Sequence, residues 1–201
     1  MTPFKLPTTE EKADYVQRQF DRIAGKYDFA NDVISIGMHR LWKRRAIKEL
    51  VQNSGGRFLD VCCGTGDLAL SLATGRDFRG NVVGLDFSAE MLTVARARER
   101  SLRQERDFPS LQWLQGDALH LPFEDNSFDG AIISFGLRNL TSYQAGLSEM
   151  SRVVKPGGRV VNLDLGQPDL PGFTPLFLYF FDNVVPLLGE IIQGDRAAYT
   201  Y

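Results

Sequence analysis

The stretch Phe58-Leu59-Asp60-Val61-Cys62-Cys63-Gly64-Thr65-Gly66-Asp67 decides how the rest of the chain is read. Phe58, Leu59 and Val61 form the apolar run of a buried strand. Gly64 and Gly66 let the backbone turn sharply and approach a ligand with no Cβ in the way. Leu68 to Ala73 then open a helix whose first N–H groups point back at the loop. A strand, a glycine loop and a helix in that order are common to many nucleotide sites.

The next segment narrows the choice of ligand. A second strand, Asn81 to Leu85, ends in Asp86, about twenty residues beyond the loop. A carboxylate there can accept both hydroxyls of a ribose diol. The loop carries acids of its own, Asp60 and Asp67, and carboxylates repel a pyrophosphate. A cationic ligand fits better. S-adenosylmethionine has an adenosine, an ammonium and a sulfonium, and no phosphate. Asp60, Gly64, Gly66, Asp67 and Asp86 are therefore read as a site for that cofactor. The bland alternative is a plain strand–turn–helix link.

Composition excludes several classes. A chain of 201 residues suits one domain with a substantial core. A net charge of −2 supplies no field that draws the chain to nucleic acid. The two cysteines, Cys62 and Cys63, are adjacent, which is neither a disulfide framework nor a zinc spacing, so no metal site is read. A reducing cytoplasm is the matching compartment, and Met1 to Lys12 lacks the apolar centre of a signal peptide.

A first helix is expected from Ala13, with Val16, Phe20, Ile23 and Tyr27 in register. A second runs from about Arg40 to Val51. Trp42, Ala46 and Leu50 share one face of it, and Arg40, Arg44 and Lys48 line the other. That basic stripe reads as a solvated face or, alternatively, as a patch for anionic membrane headgroups. Ser88 reads as an N-cap of a helix reaching Arg106, with Met91, Leu92 and Ala95 inward. Its outer arginines (Arg96, Arg98, Arg100, Arg103, Arg106) read as solvated.

A third strand, Leu111 to Gln115, leads to Asp117, an acid placed to bond an adenine amino group. A fourth, Phe128 to Phe135, delivers Ser134-Phe135-Gly136-Leu137-Arg138-Asn139 to the same crevice. A helix with Leu147, Met150 and Val154 on one face comes next, Lys155-Pro156-Gly157-Gly158 stops it, and a fifth strand spans Arg159 to Leu165. Alternating strands and helices predict an α/β fold, a parallel sheet with helices on both faces.

Three segments emerge: a helical cap over 12–52, a cofactor-binding core over 56–166 and an apolar segment over 167–201. In the last, Phe173 to Phe181 and Val184 to Leu188 are too interrupted to span a membrane. They read as a helix pair packed on the sheet or on a second subunit, which leaves room for a homodimer. The other reading is an apolar wall over a greasy substrate.

With these residues in view, the chain resembles a class I (Rossmann-like) S-adenosylmethionine-dependent methyltransferase. More narrowly it resembles the UbiE/MenG family of quinone-ring C-methyltransferases. The resemblance rests on Phe20-Asp21-Arg22-Ile23-Ala24-Gly25-Lys26-Tyr27-Asp28, Gly37-Met38-His39-Arg40-Leu41-Trp42-Lys43-Arg44, Gly64-Thr65-Gly66-Asp67, Leu121-Pro122-Phe123 and Ser134 to Asn139. The Cys62-Cys63 pair resembles the cyanobacterial and plant branch that methylates demethylphylloquinone. Carried over by position, the family's cofactor contacts fall on Thr65, Asp86, Asp117, Ala118 and Ser134. Similar chains continue a few tens of residues further with two more strands, so the resemblance implies an incomplete sheet edge here.

The implied substrate is a prenylated naphthoquinol, or a benzoquinol as the alternative ring, reached at a membrane surface. Arg138, His39 and Tyr27 are the candidate catalytic groups, with Arg138 stabilising a developing phenolate and His39 as base. Their structural alternatives are a salt bridge for Arg138 and a hydrogen bond at a helix start for His39. Asn31, Phe135 and Asn139 are the candidate substrate contacts. A nucleic-acid or amine methyltransferase lacks support, since Ser134-Phe135-Gly136-Leu137 replaces the Asn/Asp-Pro-Pro-aromatic turn. A non-catalytic cofactor-binding subunit and a nicotinamide dehydrogenase are the remaining rivals.

Overall fold

The computed structural model describes residues 37–109 and 111–164, together with positions 21, 32, 35, 166, 174, 175, 179 and 183. Segments of five to ten residues form five strands: β1 (Arg57–Val61), β2 (Asn81–Asp86), β3 (Leu111–Gln115), β4 (Phe128–Ser134) and β5 (Val154–Leu163). They pair in parallel in the order β3-β2-β1-β4-β5. Successive side chains leave a strand on opposite faces. Phe58 and Ile132 therefore join one apolar layer, while Leu59, Val61 and Ile133 join the other.

Both layers are covered. Helices α1 (Met38–Leu50) and α2 (Asp67–Ala73) pack Ala46, Leu50, Leu68, Leu70 and Leu72 on the first. Leu102 of α3 (Ala89–Glu105) packs there too. Helix α4 (Tyr143–Val153) packs Met150 and Val153 on the second. Ser88 caps α3 as expected, its hydroxyl accepting the Met91 N–H at 3.1 Å. From β1 the chain builds outward through β2 to β3, then returns to β4 on the other side of β1. That reversal opens a crevice at the carboxyl ends of β1 and β4.

Two expectations needed adjustment. Helix α1 starts at Met38, because Gly37 takes φ +72° and acts as its N-cap. Lys155-Pro156-Gly157-Gly158 ends α4 but does not delay the next strand. Val154 already pairs with Phe128, the register slips, and pairing resumes at Arg159 opposite Gly130. Gly157, at φ +85°, absorbs the slip, and β5 tolerates Pro156 because its outer side has no ladder partner among the described residues. Apart from positions 21, 174, 175, 179 and 183, the helix expected from Ala13 and the aromatic segment Phe173 to Leu188 lie outside the described residues. Among the described residues no helix is long and apolar enough to cross a membrane.

Ile132 is fully buried at the centre of the sheet. Ile132→Ala should lower the unfolding free energy by about 2–5 kcal/mol in urea titration, through lost burial and a residual cavity. A loss under about 1 kcal/mol would contradict this placement of the core.

Candidate active site

The glycine loop begins where β1 leaves the sheet. Cys62, Gly64 and Gly66 all adopt left-handed backbone, at φ +56°, +56° and +76°. The two glycines serve different ends. A Cβ on Gly66 would run into the Trp113 indole and Ala95, whereas one on Gly64 would meet nothing within 4 Å. Gly66 thus packs the loop onto the body of the protein, and Gly64 leaves open space beside it. Both glycine N–H groups of the loop are satisfied within the protein. Gly64 donates to Asp86 Oδ2 at 2.7 Å, and Gly66 to the Cys63 carbonyl at 2.9 Å. Neither is free to cradle a phosphate.

A cavity of about 250 Å³ lies against this loop. Each of the first four strands contributes at its carboxyl end. Cys62 and Gly64 come from β1, and Asp86, Phe87, Ser88 and Met91 from the end of β2 and the start of α3. Gly116 to Leu119 come after β3, and Ser134, Phe135, Gly136, Asn139, Leu140 and Thr141 from the end of β4 and beyond. Among the described residues this lining holds two carboxylates, Asp86 and Asp117, and no lysine, arginine or histidine. Ser134 Oγ is buried on the wall with no hydrogen-bond partner, an orphan that a ligand can satisfy. Phe135 holds φ +57°. Two non-glycine left-handed residues, Cys62 and Phe135, therefore flank the cavity, where stored strain commonly marks function. Gly136 lets the two loops meet, since a Cβ there would lie 2.6 Å from Cys62 Cβ.

The four acids read from the sequence have distinct surroundings. Asp60 is 2 % exposed and lies under the loop, accepting the Ala69 N–H in the first turn of α2 at 3.0 Å. Burial pushes its pKa up to about 7 despite the nearby Lys43 charge. Burial would also raise Asp67, but Lys43 and Arg98 outweigh it and hold that carboxyl at about 2. Lys43 Nζ reaches one oxygen at 2.8 Å and Arg98 Nη2 the other at 3.0 Å. Asp86 is raised by burial, opposed by N–H donors from Ser88, Gly64 and Phe87. Asp117 accepts from the Leu119 N–H at 2.8 Å and contacts His120 at 3.1 Å.

Gly64, Asp86, Asp117, Ala118, Ser134, Phe135 and Asn139 thus meet in one cavity, as read from the sequence. Asp60, Thr65, Gly66 and Asp67 do not line it and support the loop from behind. The repulsion argument therefore passes from Asp60 and Asp67, one buried and one neutralised, to Asp86 and Asp117. Arg98 is a second correction, because it leaves the solvated face of α3 and donates to both the Thr65 carbonyl and hydroxyl at 3.2 Å. Arg138 is outside the lining and pairs with Asp164 at 2.5 Å. His39 is buried, with Nδ1 2.7 Å from Ser35 Oγ and Nε2 3.7 Å from Asp32. Burial and Lys43 lower its pKa. Tyr27 and Asn31 lie outside the described residues. Cys62, Phe87, Met91, Leu119, Leu140 and Thr141 were missed. The aromatic Phe87 directly after Asp86 is the one sequence signal that could have found the wall.

Residues 8–201 match the ubiE/COQ5 methyltransferase family. The chain belongs to that family. It is 43 % identical over 192 residues to the demethylmenaquinone methyltransferase of Desulfitobacterium hafniense, covering 96 % of this chain and 75 % of that protein. The protein of the same name from Staphylococcus saprophyticus is 42 % identical over 196 residues, covering 98 % and 82 %. A crystal structure of an S-adenosylmethionine-dependent methyltransferase from Aquifex aeolicus shares the fold, with TM-score 0.54, 23 % identity, and 75 % and 78 % of the two chains covered. The chain is an S-adenosylmethionine-dependent methyltransferase with a class I, Rossmann-like fold. Its cavity fits that cofactor: among the described residues a cationic nucleoside meets two acids, no competing cation and the unpartnered Ser134 hydroxyl.

Asp60 gives a pH test. The folded protein keeps its proton up to about pH 7, whereas the unfolded chain loses it near 3.8. Stability must therefore fall as pH rises through that window, by up to about 1.4 kcal/mol per pH unit. Asp60→Asn retains an acceptor for the Ala69 N–H and should flatten the profile between pH 4 and 7 in urea unfolding. Parallel profiles for the two proteins would contradict the raised carboxyl.

Proposed function

We propose that this enzyme transfers a methyl group from S-adenosylmethionine to a ring carbon of a prenylated naphthoquinol of the demethylmenaquinol or demethylphylloquinol type. The observation that carries the reading is the make-up of the cavity. Two carboxylates and an unpartnered hydroxyl share it with Phe87, Met91, Leu119, Phe135 and Leu140. Such a lining suits a charged cofactor beside an apolar ring. The names of the relatives above support the naphthoquinol ring. Cys62 at the wall, with Cys63 directly after it, supports the phylloquinone-type branch.

Asp86 takes the ribose hydroxyls while its own position is held by the Gly64 and Ser88 N–H groups, at 2.7 and 2.9 Å. Asp117 and Ala118 border the adenine, and Ser134 offers its free hydroxyl. Thr65 acts indirectly, through the loop that Arg98 grips. Once bound, S-adenosylmethionine supplies a methyl made electrophilic by its sulfonium. The chain's task is then to align the ring carbon and keep out water. Phe135 and Leu140 border the ring. The Asn139 amide donates to the Phe135 carbonyl at 3.4 Å, which leaves its oxygen to accept a ring hydroxyl. Arg138 stabilises a ring phenolate by exchanging Asp164 for the substrate oxygen. His39, held by Ser35 and Asp32, then acts through the cap rather than on the ring, and Tyr27 remains a catalytic candidate.

Mass spectrometry of a prenylated demethylnaphthoquinol incubated with trideuteromethyl-labelled S-adenosylmethionine should find the labelled methyl on the ring. Asp86→Ala should weaken cofactor binding at least about 100-fold, since charge-assisted hydrogen bonds contribute about 1.5–3 kcal/mol each. Label on a benzoquinol but never on a naphthoquinol would overturn the substrate. Unchanged affinity in Asp86→Ala would overturn the ribose role.

A further inference from the structure

Helix α1 uses only half of its surface to hold the fold. His39, Ala46 and Leu50 are buried against the sheet and α2. The opposite face carries Arg40, Arg44, Arg45 and Lys48, with Glu49 as its one acid. Leu41 stands in the middle of this cationic face and is 54 % exposed, and Met38 beside it is 45 % exposed. Arg40 pairs with Asp32, and Arg45 with Glu49. Arg44 and Lys48 pair with no acid among the described residues. Two exposed apolar side chains stand side by side among these cations, a combination with a use at a charged apolar boundary. They match an interfacial helix that meets lipid headgroups.

The orientation of α1 fits the same partner. Lys43 reaches Asp67 in the loop at the carboxyl edge of the sheet, while the Glu49 carbonyl is reached by Arg159 at the far end of β5. The helix therefore runs against the strands. Met38, Leu41 and Arg44 lie toward the edge at which the cavity opens.

We infer that the outer face of α1 docks the enzyme on an anionic lipid bilayer. Leu41 and Met38 enter the headgroup layer, and Arg44 and Lys48 face the lipid charges. The inference rests on the proposed prenylated substrate, which partitions into such a bilayer and would reach the cavity from that edge. A nucleic acid would also attract the cations, but it offers nothing to Leu41.

Co-sedimentation with phosphatidylglycerol-containing vesicles and with pure phosphatidylcholine vesicles tests this. Wild-type protein should bind the anionic vesicles, lose them in high salt, and ignore the neutral ones. The double variant Arg44→Gln and Lys48→Gln should bind about 30-fold more weakly, at about 1 kcal/mol per cation near the surface. Leu41→Ser should also weaken binding about tenfold. Both variants should methylate a short-chain, water-soluble naphthoquinol at the wild-type rate. Equal binding to both vesicle types, no loss in the variants, or duplex DNA binding that ignores Leu41→Ser would overturn the docking face. A change of sedimentation coefficient in the variants would reassign it to a contact between copies. Short-chain turnover without vesicle binding would sink the docking face alone. Vesicle binding without turnover of any naphthoquinol would leave the face standing and sink the proposed reaction.

Discussion

The site depends on one carboxylate. Asp86 ends β2, and its two oxygens accept N–H groups from both sides of the crevice, Gly64 in the glycine loop and Ser88 at the start of α3. These bonds close the loop over the end of the sheet and set the height of the cavity floor. They also explain why a buried carboxylate is tolerated, since its charge is met by backbone donors rather than by a lysine or arginine. Ser88 extends the tie, because its hydroxyl caps Met91 and also donates to Asp21 at 2.5 Å. Asp21 belongs to the segment before α1, so Asp86 and the N-terminal part of the chain share one network.

Around that centre the protein separates structural charge from functional charge. Asp67 is consumed by Lys43 and Arg98, which join α1 and α3 to the loop. Asp60 is sealed beneath α2, where it satisfies an N–H that the glycine N-cap cannot. Each of these acids shapes the loop without lending a field to the cavity. Asp86 and Asp117 alone among the described acids border it. A phosphate would find two like charges there and, among the described residues, no cation to offset them, whereas a sulfonium and an ammonium find a partner. The choice between a dinucleotide and S-adenosylmethionine is therefore an electrostatic one, made by which charges are already spent.

Much of this was legible in the residues. β1, the glycine loop and Asp86 follow from local rules of strand periodicity, glycine geometry and acid placement, and they are found as read. Ser134 to Asn139 was legible because parallel strands deliver their carboxyl ends to one edge. What failed was anything requiring knowledge of a distant partner. Arg98 reads as a surface arginine along its own helix, and only the sheet order brings it to Thr65 and Asp67. Arg138 reads as a catalytic candidate with a salt bridge as its alternative, and only the fold shows that the partner is Asp164, twenty-six residues on. The apolar wall was missed for a similar reason. Leu119, Leu140 and Met91 look like ordinary core residues, and their cavity exposure arises from three different connections.

The central claim is that the cavity selects a cationic nucleoside. Isothermal titration of the wild-type protein with S-adenosylmethionine, NAD and ATP, at matched ionic strength, tests it most directly. The account predicts one-to-one binding of S-adenosylmethionine and no measurable binding of either phosphate-bearing nucleotide. Comparable binding of NAD or ATP would contradict it, because no cation among the described lining residues is there to offset the phosphates.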